Sequence, residues 1–86
     1  MSLALELKQN ADIHNSYEYI KQQVISLLQI SSNNGYYELT TDMLPLLDSL
    51  PLDEKNKYIN DLIKDLSNEG LLVHRPNLFV LNIKWK

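Results

Sequence analysis

Residues 53–86, DEKNKYINDLIKDLSNEGLLVHRPNLFVLNIKWK, decide the fold of this chain. Apolar residues in the first half recur three and four positions apart, the period of one helix face. Asp53 suits an N-cap position, and Gly70 suits the left-handed position that ends many helices. We therefore predict a helix over residues 53–69, whose buried stripe is formed by Ile59, Leu62, Ile63 and Leu66.

The second half of this stretch predicts a β-hairpin, with strands near residues 71–75 and 78–84. Arg75-Pro76-Asn77 is placed as the tight turn that joins them. Strand residues alternate between two faces, so every second side chain of the last strand lies on the same side. We expect that side to cover the helices, and its residues are Phe79, Leu81, Ile83 and Trp85.

An earlier helix is predicted near residues 16–30. Asn15 and Glu18 have the spacing of a capping box, in which the two residues satisfy each other's backbone amides. Turn-forming residues over 31–35 are expected to end the helix. The apolar stripe of this helix consists of Ile20, Val24, Leu27 and Leu28.

The segment between these helices predicts two short elements. Residues 36–39 are aromatic and brief, which favours an edge strand that pairs with the later hairpin. Thr40 or Thr41 is expected to cap a second helix near residues 41–49. Pro45 lacks an N–H, so we place it in the first turn of that helix.

Residues 1–14 are predicted to form an N-terminal extension with a short helix, followed by a single domain over residues 15–86. Leu3, Leu5 and Leu7 alternate, yet the neighbouring residues are good helix formers. The extension either covers an edge of the core or acts as a dimerisation arm. The sequence leaves both interpretations open.

The run TTDMLPLLDSLPLDEKNKYINDLIKDLSNEGLLVHRPNLFVL, residues 40–81, resembles the winged helix-turn-helix superfamily. In that superfamily a similar recognition helix ends in L-x-x-x-G-L-[ILV], and here residues 66–72 read LSNEGLL. The resemblance extends over about residues 16–84 and matches no particular family. It implies an α+β, mainly helical fold with a three-helix core and a C-terminal β-hairpin, the wing.

The composition argues against an enzyme and against a metal site. The chain has no cysteine, and its two histidines, His14 and His74, lack ligand-like spacing. With only Gly35 and Gly70, it has no glycine-rich phosphate loop. We expect no catalytic residue, no metal and no cofactor. Residues 1–14 show neither the basic start nor the small-residue cleavage site of a signal peptide, and no apolar run approaches about 18 residues. We therefore expect a cytoplasmic protein with no membrane contact.

Charge is unevenly distributed along the chain. Residues 1–52 carry two lysines against six acidic residues, a balance of −4, whereas residues 53–86 carry six basic against five acidic residues, a balance of +1. Residues 70–86 contain no acidic residue. Any attraction for phosphate must therefore be local to the hairpin end.

The resemblance implies a small DNA-binding protein, a transcriptional regulator or an accessory module, that uses the third helix and the wing. Lysine can contact phosphate, and asparagine can form a bidentate pair with adenine. Asp61 offers an alternative, since it is spaced to pair with Lys57 and Lys64 on a solvated helix face. The candidate nucleic-acid-binding residues are Lys55, Asn56, Lys57, Asn60, Lys64, His74, Arg75 and Asn77.

The alternative function is a protein-interaction module without direct DNA contact. Residues 44–52 hold more leucines than one short helix face needs, which indicates an exposed patch. A homodimer is also expected, because small regulators often bind two half-sites. The candidate interaction residues are Leu44, Leu47, Leu50 and Leu52.

Overall fold

A computed structural model describes residues 2–86; Met1, part of the predicted N-terminal extension, lies outside them. The fold is α+β and mainly helical. The described residues form, in chain order, helices α1 (Leu3–His14) and α2 (Tyr17–Asn33), strand β1 (Glu38–Asp42), helices α3 (Leu44–Leu47) and α4 (Leu52–Asn68), and strands β2 (Leu72–Asn77) and β3 (Val80–Lys84).

Helix α4 carries the predicted apolar stripe into the core. Ile59, Leu62 and Leu66 are buried, at 0%, 1% and 2% exposure. Gly70 has φ +90°, a left-handed conformation that side chains other than glycine rarely adopt, so the predicted helix end is confirmed. The N-cap prediction is wrong: the cap is Pro51, and Asp53 lies in the first turn, where its charge favours the helix dipole.

The three strands form one antiparallel sheet in the order β1-β3-β2. The predicted turn at Arg75-Pro76-Asn77 is wrong, because β2 runs through these residues and the chain turns at Leu78 and Phe79. An irregularity between His74 and Asn77 interrupts the β2–β3 register. Pro76 has no N–H to give to the ladder, and a position of this kind is where a strand tolerates proline.

Strand β1 and helix α3 divide the middle segment differently from the prediction. Thr40 and Thr41 lie in β1, opposite Asn82 and Leu81 of β3, so neither caps a helix. Their β-branched side chains favour strands. Helix α3 has only four residues rather than the predicted 41–49, and Pro45 lies in its first turn as expected.

Helix α2 begins one residue later than the capping-box interpretation requires. Ser16 is the N-cap, and its side chain accepts a hydrogen bond from the backbone N–H of Tyr19. Asn15 is instead the C-cap of α1. The helix also continues through Ser31 and Ser32 to Asn33, so residues 31–33 do not break it.

The core lies between the sheet and helices α2, α3 and α4. One face of the sheet supplies Leu81 and Ile83, both fully buried, with Phe79 and Trp85 packed beside them. The face predicted for the last strand is therefore the inner face. The fully buried cluster consists of Ile20, Val24, Met43, Leu47, Ile59, Leu62, Leu66, Leu81 and Ile83.

Helix α1 adds no residue to this core cluster. It confirms the short N-terminal helix, and Ser2 caps it by accepting from the N–H of Leu5. None of its residues is buried. No helix within residues 2–86 combines the length and the apolar character that a membrane span requires.

Candidate nucleic-acid interface

The outward face of α4 carries three of the predicted nucleic-acid-binding residues. Lys57, Asn60 and Lys64 are exposed, opposite the buried stripe. Residues three and four apart are neighbours on a helix surface, so the three side chains follow one another along α4. Lys55 and Asn56 are half-buried, because they face the hairpin.

Arg75 joins the hairpin to this face of α4. Its Nη1 donates to Asn60 Oδ1 at 3.1 Å, and its Nη2 donates to Asn56 Oδ1 at 3.1 Å. Nε and Nη2 also donate to the carbonyl oxygen of Leu78, at 2.9 and 2.6 Å. Asn56 and Asn60 lie one helical turn apart, so one planar guanidinium spans both.

The position of Arg75 changes its predicted role. It was placed at the tip of the wing, but it lies in β2 and is half-buried. Four of its five N–H groups donate within the protein. Arg75 therefore holds the hairpin turn against α4 and has little capacity left for phosphate.

The same bonds orient the two asparagine amides. A bidentate contact with adenine needs both the carbonyl oxygen and the NH2 group of the amide. One lone pair of Asn60 Oδ1 already accepts from Arg75, which fixes the amide plane while the NH2 group can donate outward. Asn60 is exposed, so it is better suited to such a contact than the half-buried Asn56.

Lys55 lies beside the hairpin turn. Its Nζ is 6.0 Å from the centre of the Phe79 ring, at the outer limit of a cation–π contact. Phe79 also accepts a hydrogen bond through its carbonyl oxygen from Met43 N–H, at 2.6 Å. The turn is thus tied both to α4 and to the start of α3.

The remaining hairpin residues do not all join this surface. His74 is exposed and lies opposite Asn82 in the β2–β3 register, next to Val73, which packs on the core. Successive strand residues point to opposite faces, so His74 faces away from α4. Asn77 is exposed at the end of β2, beside the turn.

Asp61 does not form the ion pairs considered for the outward face. Within the described chain, the pairs closer than 4.0 Å are Lys8–Asp12 and Lys21–Asp65. Asp61 is half-buried, whereas Lys57 and Lys64 remain exposed. The alternative in which Asp61 neutralises both lysines is therefore wrong for this structure.

Sequence reasoning missed a polar cluster on the opposite side of α4. Tyr17 Oη donates to Asp65 Oδ2 at 2.5 Å, and Lys21 Nζ lies 3.6 Å from the same oxygen. Burial, followed by the hydrogen bond and the charge of Asp65, raises the pKa of Tyr17 above its usual value. The hydrogen bond from Tyr17 lowers the pKa of Asp65. The cluster stabilises the packing of α2 on α4 and lies outside the candidate interface.

We expect Tyr17→Phe to lower the urea midpoint at pH 7 without changing the slope of the transition, because Asp65 loses its donor. The lowered pKa of Asp65 stabilises the fold at any pH above the ordinary carboxyl pKa of 3.8. This contribution is lost as pH falls through the lower pKa of the folded state. The raised pKa of Tyr17 stabilises the fold at any pH below the ordinary tyrosine pKa of 10.0. This contribution is lost as pH rises from 10.0 through the higher pKa of the folded state. The midpoints of wild type and variant should therefore converge at both extremes; a constant difference from pH 3 to pH 11 would contradict the bond.

The leucines considered for protein interaction separate into two groups. Leu47 is fully buried in the core, and Leu50 packs against it. Burial prevents Leu47 from contacting a partner, so the predicted four-leucine patch is wrong. Leu44 and Leu52 remain at the surface, at 37% and 58% exposure.

No side chains among residues 2–86 come together as a group of three or more potential metal ligands. Comparisons with protein-family models, curated proteins and solved structures found no match to this chain.

Proposed function

We propose that this protein is a cytoplasmic winged-helix DNA-binding protein, a transcriptional regulator or an accessory module, that contacts duplex DNA through α4 and the β2–β3 hairpin. The topology supports the proposal: a helix followed by a hairpin whose last strand lies between β1 and β2 is consistent with the resemblance in the sequence. The observation that carries the proposal is the set of hydrogen bonds from Arg75 to Asn56, Asn60 and the Leu78 carbonyl, here called the Arg75 clamp. These bonds make the outer face of α4 and the hairpin turn one continuous surface.

The residues divide into two roles on this surface. Lys57 and Lys64 are exposed cations that contact phosphate, and such contacts position a protein on the duplex without selecting a sequence. Asn60 lies between them and donates its NH2 group to a base edge. Arg75 and Asn56 position the hairpin rather than touch DNA.

Charge sets the orientation of the bound protein. The first 52 residues have a balance of −4, so α1, α2 and β1 face away from the phosphates. Asp53 and Glu54 are exposed at the start of α4 and also repel phosphate. Binding is therefore weak without sequence recognition, and it depends on a few local cations.

Nuclear magnetic resonance with duplex DNA tests the proposal. A 15N-labelled sample is titrated with a short random-sequence duplex at about 50 mM salt, where phosphate contacts are screened least. We expect the largest amide shifts over residues 55–64 and 75–79, and small shifts in α1. No shift at any DNA concentration would contradict DNA binding.

A protein-interaction module is the second candidate, favoured by the exposed side chains of Leu44 and Leu52. If duplex DNA produces no amide shift, Leu44 and Leu52 become the first residues to mutate.

A further inference from the structure

The Arg75 clamp determines which end of the Asn60 amide is free. Arg75 Nη1 lies 3.1 Å from an atom of this amide and donates a hydrogen bond to it. A guanidinium has five N–H donors and no acceptor, so that atom must be the carbonyl oxygen and cannot be the NH2 group. Asn60 is exposed, so its NH2 group is left to donate outward.

The same hydrogen bond makes the Asn60 amide a stronger donor and a poorer acceptor. The N–H of Arg75 occupies one of the two lone pairs of Asn60 Oδ1. A second donor at the other lone pair would lie within roughly 5 Å of Nη1, because both hydrogen bonds are about 3 Å long and meet at one oxygen. The partly positive hydrogen of that donor would then lie beside a fixed cation, which is unfavourable. A hydrogen bond at the oxygen of an amide also polarises its N–H groups and strengthens them as donors.

The exposed side chains on either side of Asn60 are also donors. Lys57 lies three residues before it and Lys64 four residues after it, on the same outward face of α4. An ammonium group has three N–H donors and no acceptor. Asp61, the acceptor next to Asn60 in sequence, is half-buried. The centre of this face therefore presents donors, and a surface of hydrogen-bond acceptors complements it.

The base edges in the major groove differ in what they offer to such a donor. Guanine has two neighbouring acceptors, N7 and O6, whereas adenine has one acceptor, N7, beside an amino donor. Thymine has one acceptor beside a methyl group, and cytosine has an amino donor. The usual asparagine–adenine pair needs Oδ1 to accept from the amino group of adenine, and the charge of Arg75 opposes that contact. Guanine is the base that offers two acceptors to the two N–H donors of Asn60.

We propose that Asn60, oriented and polarised by Arg75, selects guanine in the major groove and does not form the adenine pair that a free asparagine favours. This inference rests on the proposed DNA binding and names the base that the surface recognises. Asn60 contacts the base, and Arg75 is a positioning residue that acts through Asn60. Replacing guanine with adenine at the contacted position should weaken binding roughly 5- to 150-fold, the range for one well-formed bidentate contact.

A selection from a duplex library with a randomised central segment tests the base preference. Wild type and two variants are each incubated with the library at about 50 mM salt, and the bound duplexes are sequenced. Asn60→Asp keeps the shape of the side chain and an oxygen that accepts from Arg75, but it replaces the NH2 donors with a second acceptor. Asn56→Asp is the matched control, because it makes the same change at the other amide bonded to Arg75, which is half-buried. Far-ultraviolet circular dichroism verifies that each variant is folded.

We expect wild type to enrich guanine at one position of the bound duplexes. Asn60→Asp should lose that preference and enrich cytosine there, because a carboxylate accepts from the amino group of cytosine. Asn56→Asp should bind more weakly, owing to its added negative charge, and keep the preference for guanine.

Three results would overturn the guanine preference while leaving DNA binding intact. They are bound duplexes with no enriched guanine, a guanine preference that Asn60→Asp retains, and a guanine preference that Asn56→Asp loses. Enrichment of adenine by wild type at the position that Asn60→Asp alters belongs to the first of these results. If wild type retains no duplex at all, the proposed DNA binding is wrong, and this inference is wrong with it.

Discussion

Replacing Leu62 with alanine should lower the free energy of unfolding by about 2–5 kcal/mol, as large-to-small changes in a core do. Leu62 is 1% exposed and lies at the centre of the α4 stripe. A chain of this length has a total stability of roughly 4–13 kcal/mol, so the change removes a large share of it. The core has no second layer to compensate, because one cluster holds both the helices and the sheet together.

Urea unfolding of wild type and two variants measures this loss. Leu72→Ala is the matched control, because Leu72 is 64% exposed and its substitution should change stability by less than about 0.5 kcal/mol. If Leu62→Ala and Leu72→Ala unfold at the same midpoint, Leu62 is not in the core and the packing of α4 described above is wrong.

The elements set by local signals were predictable from the sequence. The period of the apolar residues predicted α4. Gly70 predicted the end of α4, because a left-handed backbone position favours glycine. The alternation of apolar side chains predicted the inner face of β3, because this pattern depends only on neighbours in sequence. The helix caps were not decided by residue type alone, because Asn15 and Ser16 both suit a capping position, and in the structure Ser16 caps α2.

Other errors occurred where residues distant in sequence decide the outcome. Thr40 and Thr41 suit a helix cap or a strand, and pairing with β3, about forty residues away in sequence, selects the strand. The Tyr17–Asp65 bond joins positions 48 residues apart, and spacing along one helix gave no signal for it.

The sequence predicted which residues of α4 are exposed on the candidate interface, but it did not predict how they contact the hairpin. Lys57, Asn60 and Lys64 are on the expected face of α4. The clamp by Arg75 was missed, because the register of the hairpin moved Arg75 from the turn into β2. Asn56 and Asn60 were predicted to contact DNA, but in the structure the side-chain oxygen of each accepts a hydrogen bond from Arg75.

Replacing Lys57 and Lys64 together with alanine should weaken duplex binding roughly tenfold or more at about 100 mM salt, equally for all sequences. These two lysines are the exposed cations of α4, whereas Lys55 and Arg75 are engaged with the hairpin. Both are solvated and far from the core cluster, so stability should be unaffected. Lys84→Ala with Lys86→Ala is the matched control, since it removes the same charge from exposed positions away from the proposed surface. Lys84 follows the buried Ile83 and so faces away from α4, and Lys86 lies 4.5 Å from the Tyr37 ring, at the end of β3 remote from the hairpin turn.

Fluorescence anisotropy of a labelled random-sequence duplex, titrated at several salt concentrations, tests the DNA-binding surface most directly. Each neutralised phosphate contributes about −0.9 to the slope of log K against log salt. The account predicts that Lys57→Ala/Lys64→Ala makes the slope about 1.8 units shallower than that of wild type, and that the control variant keeps the wild-type slope. Equal slopes for wild type and the α4 variant, or a loss confined to the control variant, would contradict it.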